Sequence, residues 1–165
     1  MACQQYELYS AEEVAPRGRE FTSVEEMQRF VDDLRETWWW KMRFPMVHRI
    51  EVGAAPKNGG GSVGGFFPDK GAGRVEMMKE AGHWCERILL HEISHVFAAA
   101  AYDSKAHDPQ FARTYIDLVS LVMGEPAYTT LYNSFVDADI QFDYEPKPSP
   151  LERAKRMPQF SPASY

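Results

Sequence analysis

The hydrophobic and polar positions change period several times along the chain, and each change marks an element. "QYELYSAEE" (5–13) opens on a short Tyr/Leu alternation, which predicts a weak first strand. Ser23 and Glu26 in "SVEE" form a capping box, so a helix starts there. Met27, Phe30, Val31, Leu34 and Trp38 then recur at helical spacing, and Pro45 sets the latest point at which this long helix can have stopped. "MVHRIEV" (46–52) alternates as a strand does. The segment 53–73 holds eight glycines and reads as a long flexible loop or hairpin around "GGFFP". "RVEMM" (74–78) is the next strand. From Trp84 to about Tyr102 no Gly or Pro interrupts a helical pattern. After the short connection "YDSKAH", Asp108 and Pro109 supply an N-cap acceptor and a proline at the first helical position. Phe111, Tyr115, Leu118, Val119 and Val122 make that helix's apolar stripe, and Gly124 closes it. A last helix covers 126–138. Residues 141–165 carry five prolines with little periodicity and read as an extended or disordered tail.

This order predicts one α+β domain over residues 1–140. A small, mostly antiparallel sheet would pack on the helix at 84–102, with one long helix before it and one or two after. A chain of 165 residues, 44% hydrophobic, is long enough for a substantial core. No apolar run approaches the roughly 20 residues of a membrane span. The N-terminus has neither the basic cluster nor the apolar core of a signal peptide, so the expected location is cytoplasmic. Two cysteines, Cys3 and Cys85, imply no disulfide framework. A net charge of −6 argues against nucleic-acid binding by this chain alone, which needs clustered Lys and Arg.

One helix breaks its own pattern. "RILLHEISHVF" (87–97) is apolar except for His91, Glu92, Ser94 and His95 after its first arginine. Burying ionisable groups without partners costs several kcal/mol, about 2–7 even for a neutral polar group, so something must compensate them. His91-Glu92-Ile93-Ser94-His95 is an HExxH sequence. Residues i and i+4 of a helix share a face one turn apart, so the two imidazoles can point at one ion. Glu92 is directed differently and can reach a water on the metal, taking its proton. With 5 histidines in the chain, random order yields this pattern in about one chain in a hundred.

The third ligand is open between acids of a later helix, Asp117 or Glu125, and His107. His107 is favoured, because chain reversal at "AYDSKA" brings it back beside the first two, and three histidines leave a fourth position for water. Asp108 is a helix cap that could also orient an imidazole.

"LLHEISHVF" followed by "HDPQF" resembles the short SprT-like zincins, where a downstream His-Gly-x-x-Phe/Trp element gives the third ligand. It is more closely similar to a family of small metallohydrolases of actinobacteria and their phages. The shared features are an N-terminal strand (here "LYSAEE"), tryptophans ending the first helix ("TWWW"), the HExxH helix and the His-containing element. The likeness runs through about residues 5–140. It implies a zincin-like fold, one Zn2+ ion, His91, His95 and His107 as ligands and Glu92 as the catalytic residue. Asp108 stands where glycine is usual, which narrows the space beside the metal. In zincins an edge strand pairs with an extended peptide, and Val75, Glu76 and Met77 are the candidates for that strand.

Other features carry less. Trp38, Trp39 and Trp40 span about 200° of a helix, so they cannot all face one partner, and at least two should pack inside. The glycine-rich segment lacks the Gly-Lys-Ser/Thr ending of a phosphate loop and fits a mobile loop over a cleft. Arg74, Arg87, Tyr102, Tyr115 and Tyr128 could each stabilise an oxyanion, and spacing does not choose among them. His48 and His83 read as structural or exposed. The expected function is zinc-dependent hydrolysis, with a peptide or protein as substrate. The alternatives are a catalytically idle zinc-stabilised binding module and an SprT-like protease acting on DNA-associated protein.

Overall fold

The computed structural model describes residues 4–142, so the proline-rich tail, apart from Gln141 and Phe142, lies outside the described residues. The first element is a helix, α1 (Gln5–Glu12), where the alternation predicts a strand. Its buried residues Leu8, Ala11 and Glu12 follow the i, i+3, i+4 rule of a helix face. Eight residues are too few to hold a helix in isolation. Tertiary contacts supply the rest: the Arg87 Nη1 donates to the carbonyls of Glu12, Glu13 and Ala15 at the helix's C-terminal end.

The capping box starts α2 (Val24–Arg35) as the sequence predicts: Ser23 Oγ accepts from Glu26 N at 3.1 Å. The single long helix is instead two. Thr37 is extended and its hydroxyl accepts from Trp40 N, which caps a second helix, α3 (Trp38–Arg43). The break turns the tryptophans apart. Trp40 is buried with its indole N–H on the Val47 carbonyl at 2.7 Å, Trp39 lies against Phe44 and Phe97, and Trp38 is 55% exposed.

Among the described residues the sheet has three strands, β1 (Arg49–Ala54), β2 (Val63–Phe67) and β3 (Ala72–Met77), in the order β1-β3-β2. β1 and β3 run parallel and β2 and β3 antiparallel, so the sheet is mixed rather than mostly antiparallel. Part of the glycine-rich segment is thus ordered as β2 and a tight return at Pro68–Lys70, which ends on Gly71 at φ 55°. The return inserts β3 in the middle. Glu76 faces Gly53 on one side and Val63 on the other, and Val75 and Met77 are fully buried. Val75, Glu76 and Met77 are therefore not an edge, and their backbone groups are already paired.

The two true edges differ. Along β1, Gln28 of α2 lies where another strand would: its Nε2 donates to the Ile50 carbonyl at 3.0 Å and its Oε1 accepts from Val52 N at 2.8 Å. A side-chain amide thus closes that edge. β2 has no such cover among the described residues. One sheet face packs on α2 and on α4 (Glu86–Tyr102); the other carries the ion pairs Arg49–Glu51 and Arg74–Glu76. α5 (Pro109–Met123) packs on α4, and α6 (Glu125–Asp137) packs on α5 and α1. No described helix is long and apolar enough to cross a membrane.

Candidate metal centre

α4 is the longest of the described helices, and backbone rather than a side chain completes its start: Glu86 N donates to the Arg19 carbonyl and Arg87 N to the Arg17 carbonyl. From there it runs through the core, so His91 and Glu92 are buried at 2% and 6% exposure. The helix ends at Asp103 in the left-handed region, and Ala106 adopts the same region at φ 55°. Those two residues reverse the chain. Asp108 then starts α5, its Oδ1 accepting from Phe111 N at 2.9 Å and from Ser104 Oγ at 2.6 Å. Between reversal and cap, His107 folds back onto α4 and is buried at 6% exposure. Capping is the duty of Asp108 here.

His91, His95 and His107 each bring a ring nitrogen to within 4.8 Å of the others, close enough to bind one metal ion. His91 Nε2 and His107 Nε2 are 3.1 Å apart. Two nitrogens each 2.0–2.1 Å from one tetrahedral ion lie roughly 3.3 Å apart, so this hydrogen-bonding distance is also short enough for a shared ion. Phe111 forms the apolar wall, stacked on His95 at 4.1 Å and edge-on to His91 and His107. Burial, followed by the charge of His91, holds His95 down to about 2 and His107 down to about 4. Both imidazoles are thus neutral near pH 7, the state in which a nitrogen lone pair is available to a metal. The donor set fits a divalent cation, and imidazole suits several first-row metals.

Glu92 stands beside this cluster on α4. Burial raises its carboxyl to about 7, with the Glu12 charge adding to the effect and His91 opposing it. Such a carboxylate can take and return a proton near neutral pH.

Two residues that the sequence reading did not single out complete the surroundings. Glu12 Oε2 lies 2.8 Å from His91 Nδ1, with both side chains buried. For His91 burial works downward, but the charge and hydrogen bond of Glu12 prevail and raise its pKa. The Tyr9 ring, also on α1, lies 5.6 Å from the His91 ring and 5.1 Å edge-on from the His107 ring. The signal for Glu12 was present in "LYSAEE": as a helix, that segment puts an acid on the same face as Leu8 and Ala11, where it needs a partner.

The remaining candidates lie elsewhere. Asp117 pairs with Arg43 at 2.9 Å and Arg113 at 3.1 Å, and Glu125 is exposed in the first turn of α6; neither belongs to the three-histidine group. Arg74 pairs with Glu76, Arg87 fixes α1, Tyr128 lies against Tyr132, and Tyr115 is buried, its hydroxyl held above the usual range by burial and by Glu12. Tyr102 is the last residue of α4. His83 Nδ1 bonds Ser62 Oγ at 3.1 Å, tying the start of β2 to the approach to α4, while His48 packs over Gly71.

β2 crosses α4 at Glu92. A Cβ added at Gly64 would sit 2.1 Å from the Glu92 carbonyl oxygen, so only glycine allows the approach. β2 thereby lies directly against the Glu92 turn of α4. No protein-family model, curated protein or solved structure matches the chain.

Proposed function

We propose that this protein is a zinc-dependent hydrolase that cleaves peptide bonds. The observation that carries the reading is the convergence of three imidazoles, those of His91 and His107 buried and that of His95 half-buried, beside the buried carboxyl of Glu92. His91, His95 and His107 would hold the ion. Bound there, zinc supplies Lewis acidity, which acidifies water and polarises a carbonyl. Glu92 takes the proton of the attacking water and returns it to the leaving amine. Positive charge at the cluster favours the ionised form of Glu92, which readies it as the base. Phe111 and the core side of α4 exclude bulk water from the ligands.

The sheet supports a peptide as substrate. Gln28 closes the β1 edge, whereas β2 offers its outer edge next to Glu92. An extended chain added there gains main-chain hydrogen bonds and runs past the carboxylate. Resemblance to the small metallohydrolases and SprT-like zincins agrees with this chemistry. The acidic net charge gives no support to action on DNA-bound protein by this chain alone.

A second reading, an idle zinc-stabilised binding module, draws on one feature: the cluster joins α4 to the loop before α5 and, through Glu12, to α1. Cleavage of a quenched fluorescent peptide library separates the two. A hydrolase loses cleavage on chelation, regains it with zinc, and loses about 10²–10⁴-fold in Glu92→Gln with zinc retained. Cleavage unchanged in Glu92→Gln, or absent from the zinc-loaded wild type, sinks the hydrolase reading.

A further inference from the structure

Glu12 is an anomaly. It is a carboxylate at 4% exposure on an eight-residue helix, 79 residues from the histidine it touches. Burying a carboxylate is unfavourable unless a positive group and hydrogen bonds compensate it. Arg87 lies close, but its Nη1 is directed to the backbone carbonyls of Glu12, Glu13 and Ala15. The carboxylate is turned to His91 Nδ1 instead.

We propose that Glu12 is a positioning residue of the metal centre: its carboxylate holds the Nδ1–H of His91 so that Nε2 faces the ion, and Arg87 fixes Glu12 by tying the end of α1 to α4. The inference rests on metal binding by the three histidines and not on hydrolysis. An imidazole that donates from Nδ1 carries its lone pair on Nε2, the atom 3.1 Å from His107 Nε2. The hydrogen bond also fixes the ring's rotation and makes Nε2 a stronger donor to a metal. In return, a cation on Nε2 places further positive charge near the buried carboxylate. Arg87 contributes precision of placement: three carbonyls at 2.8–3.2 Å share one terminal nitrogen, so the end of α1 cannot slide along α4 without losing all three.

The test uses the full chain stripped of metal and Co2+ as the probe, with affinity measured against a competing chelator and geometry read from the cobalt ligand-field spectrum. Glu12→Gln keeps an acceptor and removes the charge; Glu12→Ala removes both. The expected order of affinity is wild type, then Glu12→Gln, then Glu12→Ala, with the alanine variant weaker by about 10–100-fold and its spectrum altered. Melting of the metal-free proteins reports any purely structural part of the role. If both variants melt earlier yet bind within threefold of wild type with an unchanged spectrum, Glu12 only holds the fold and the proposal is overturned. If Glu12→Ala does not fold, Glu12→Gln decides alone by the same threefold criterion. Wild type that takes up no cobalt overturns metal binding itself, a failure distinct from that of Glu12.

Discussion

The approach of β2 to α4 can be tested with two neighbouring glycines. Alanine at Gly64 would place its Cβ 2.1 Å from the Glu92 carbonyl oxygen, 2.9 Å from its carbon and 3.3 Å from its Cα. Ordinary contact begins near 3.4 Å, so one backbone must retreat by about 1.3 Å. The obstacle is the middle of a helix that carries His91 and His95, not the free end of a side chain. The cost should therefore fall at the upper end of the range for overpacking, about 2–3 kcal/mol. At about 2–4 °C per kcal/mol for a chain of this size, Tm drops by roughly 5–10 °C. A Cβ at Gly65 meets nothing within 4 Å, and that residue has no positive φ. Gly65→Ala should gain about 0.4–1 kcal/mol by narrowing the unfolded ensemble. Urea unfolding of both variants beside wild type measures the difference directly. Gly64→Ala as stable as wild type, or less damaging than Gly65→Ala, would refute the close packing of β2 on the Glu92 turn.

Removing the Gln28 amide by Gln28→Ala strips the Ile50 carbonyl and Val52 N–H of their partners, at an expected cost of about 1–3 kcal/mol. Light scattering on heating should also show earlier association through the opened β1 edge, and unchanged stability would contradict the role given to Gln28. Thr37→Ala deletes the cap that separates α2 from α3 and should cost about 1 kcal/mol by urea unfolding, with no loss of metal. Glu26 is held down to about 2 from 4.5 by the Thr22 backbone N–H first and by Arg19 next. A depressed carboxyl stabilises the fold above its unfolded value, and that contribution disappears as pH falls from about 4.5 towards 2. Glu26→Gln should thus be less stable than wild type at pH 6, and the gap should close near pH 2.

The HExxH helix, the cap at Asp108 and the position of His107 were legible because each rests on local signals: a helical period, an acceptor before proline, and a spacing that chance seldom gives. The misreadings share a cause. The Tyr6/Leu8 alternation is two residues long, and Leu8, Ala11 and Glu12 fit a helix as well once a glutamate is allowed on the buried face. That allowance needs His91, 79 residues on, which no local window contains. The helical spacing from Met27 to Trp38 continues across Thr37, so the break is visible only as a second hydroxyl N-cap, after that of Ser23. Val75 and Met77 alternate with charged neighbours as an edge strand would, yet β3 is central, because strand order depends on where the β2 return places it. Periodicity reports which face is buried and not which neighbour is paired.

Metal content tests most directly whether His91, His95 and His107 together hold one metal ion. Purified under zinc-replete conditions and dialysed, wild type should carry about one zinc per chain, and His107→Ala should lose most of it under the same dialysis. Wild type without zinc, or both proteins retaining it equally, would contradict the three-histidine centre.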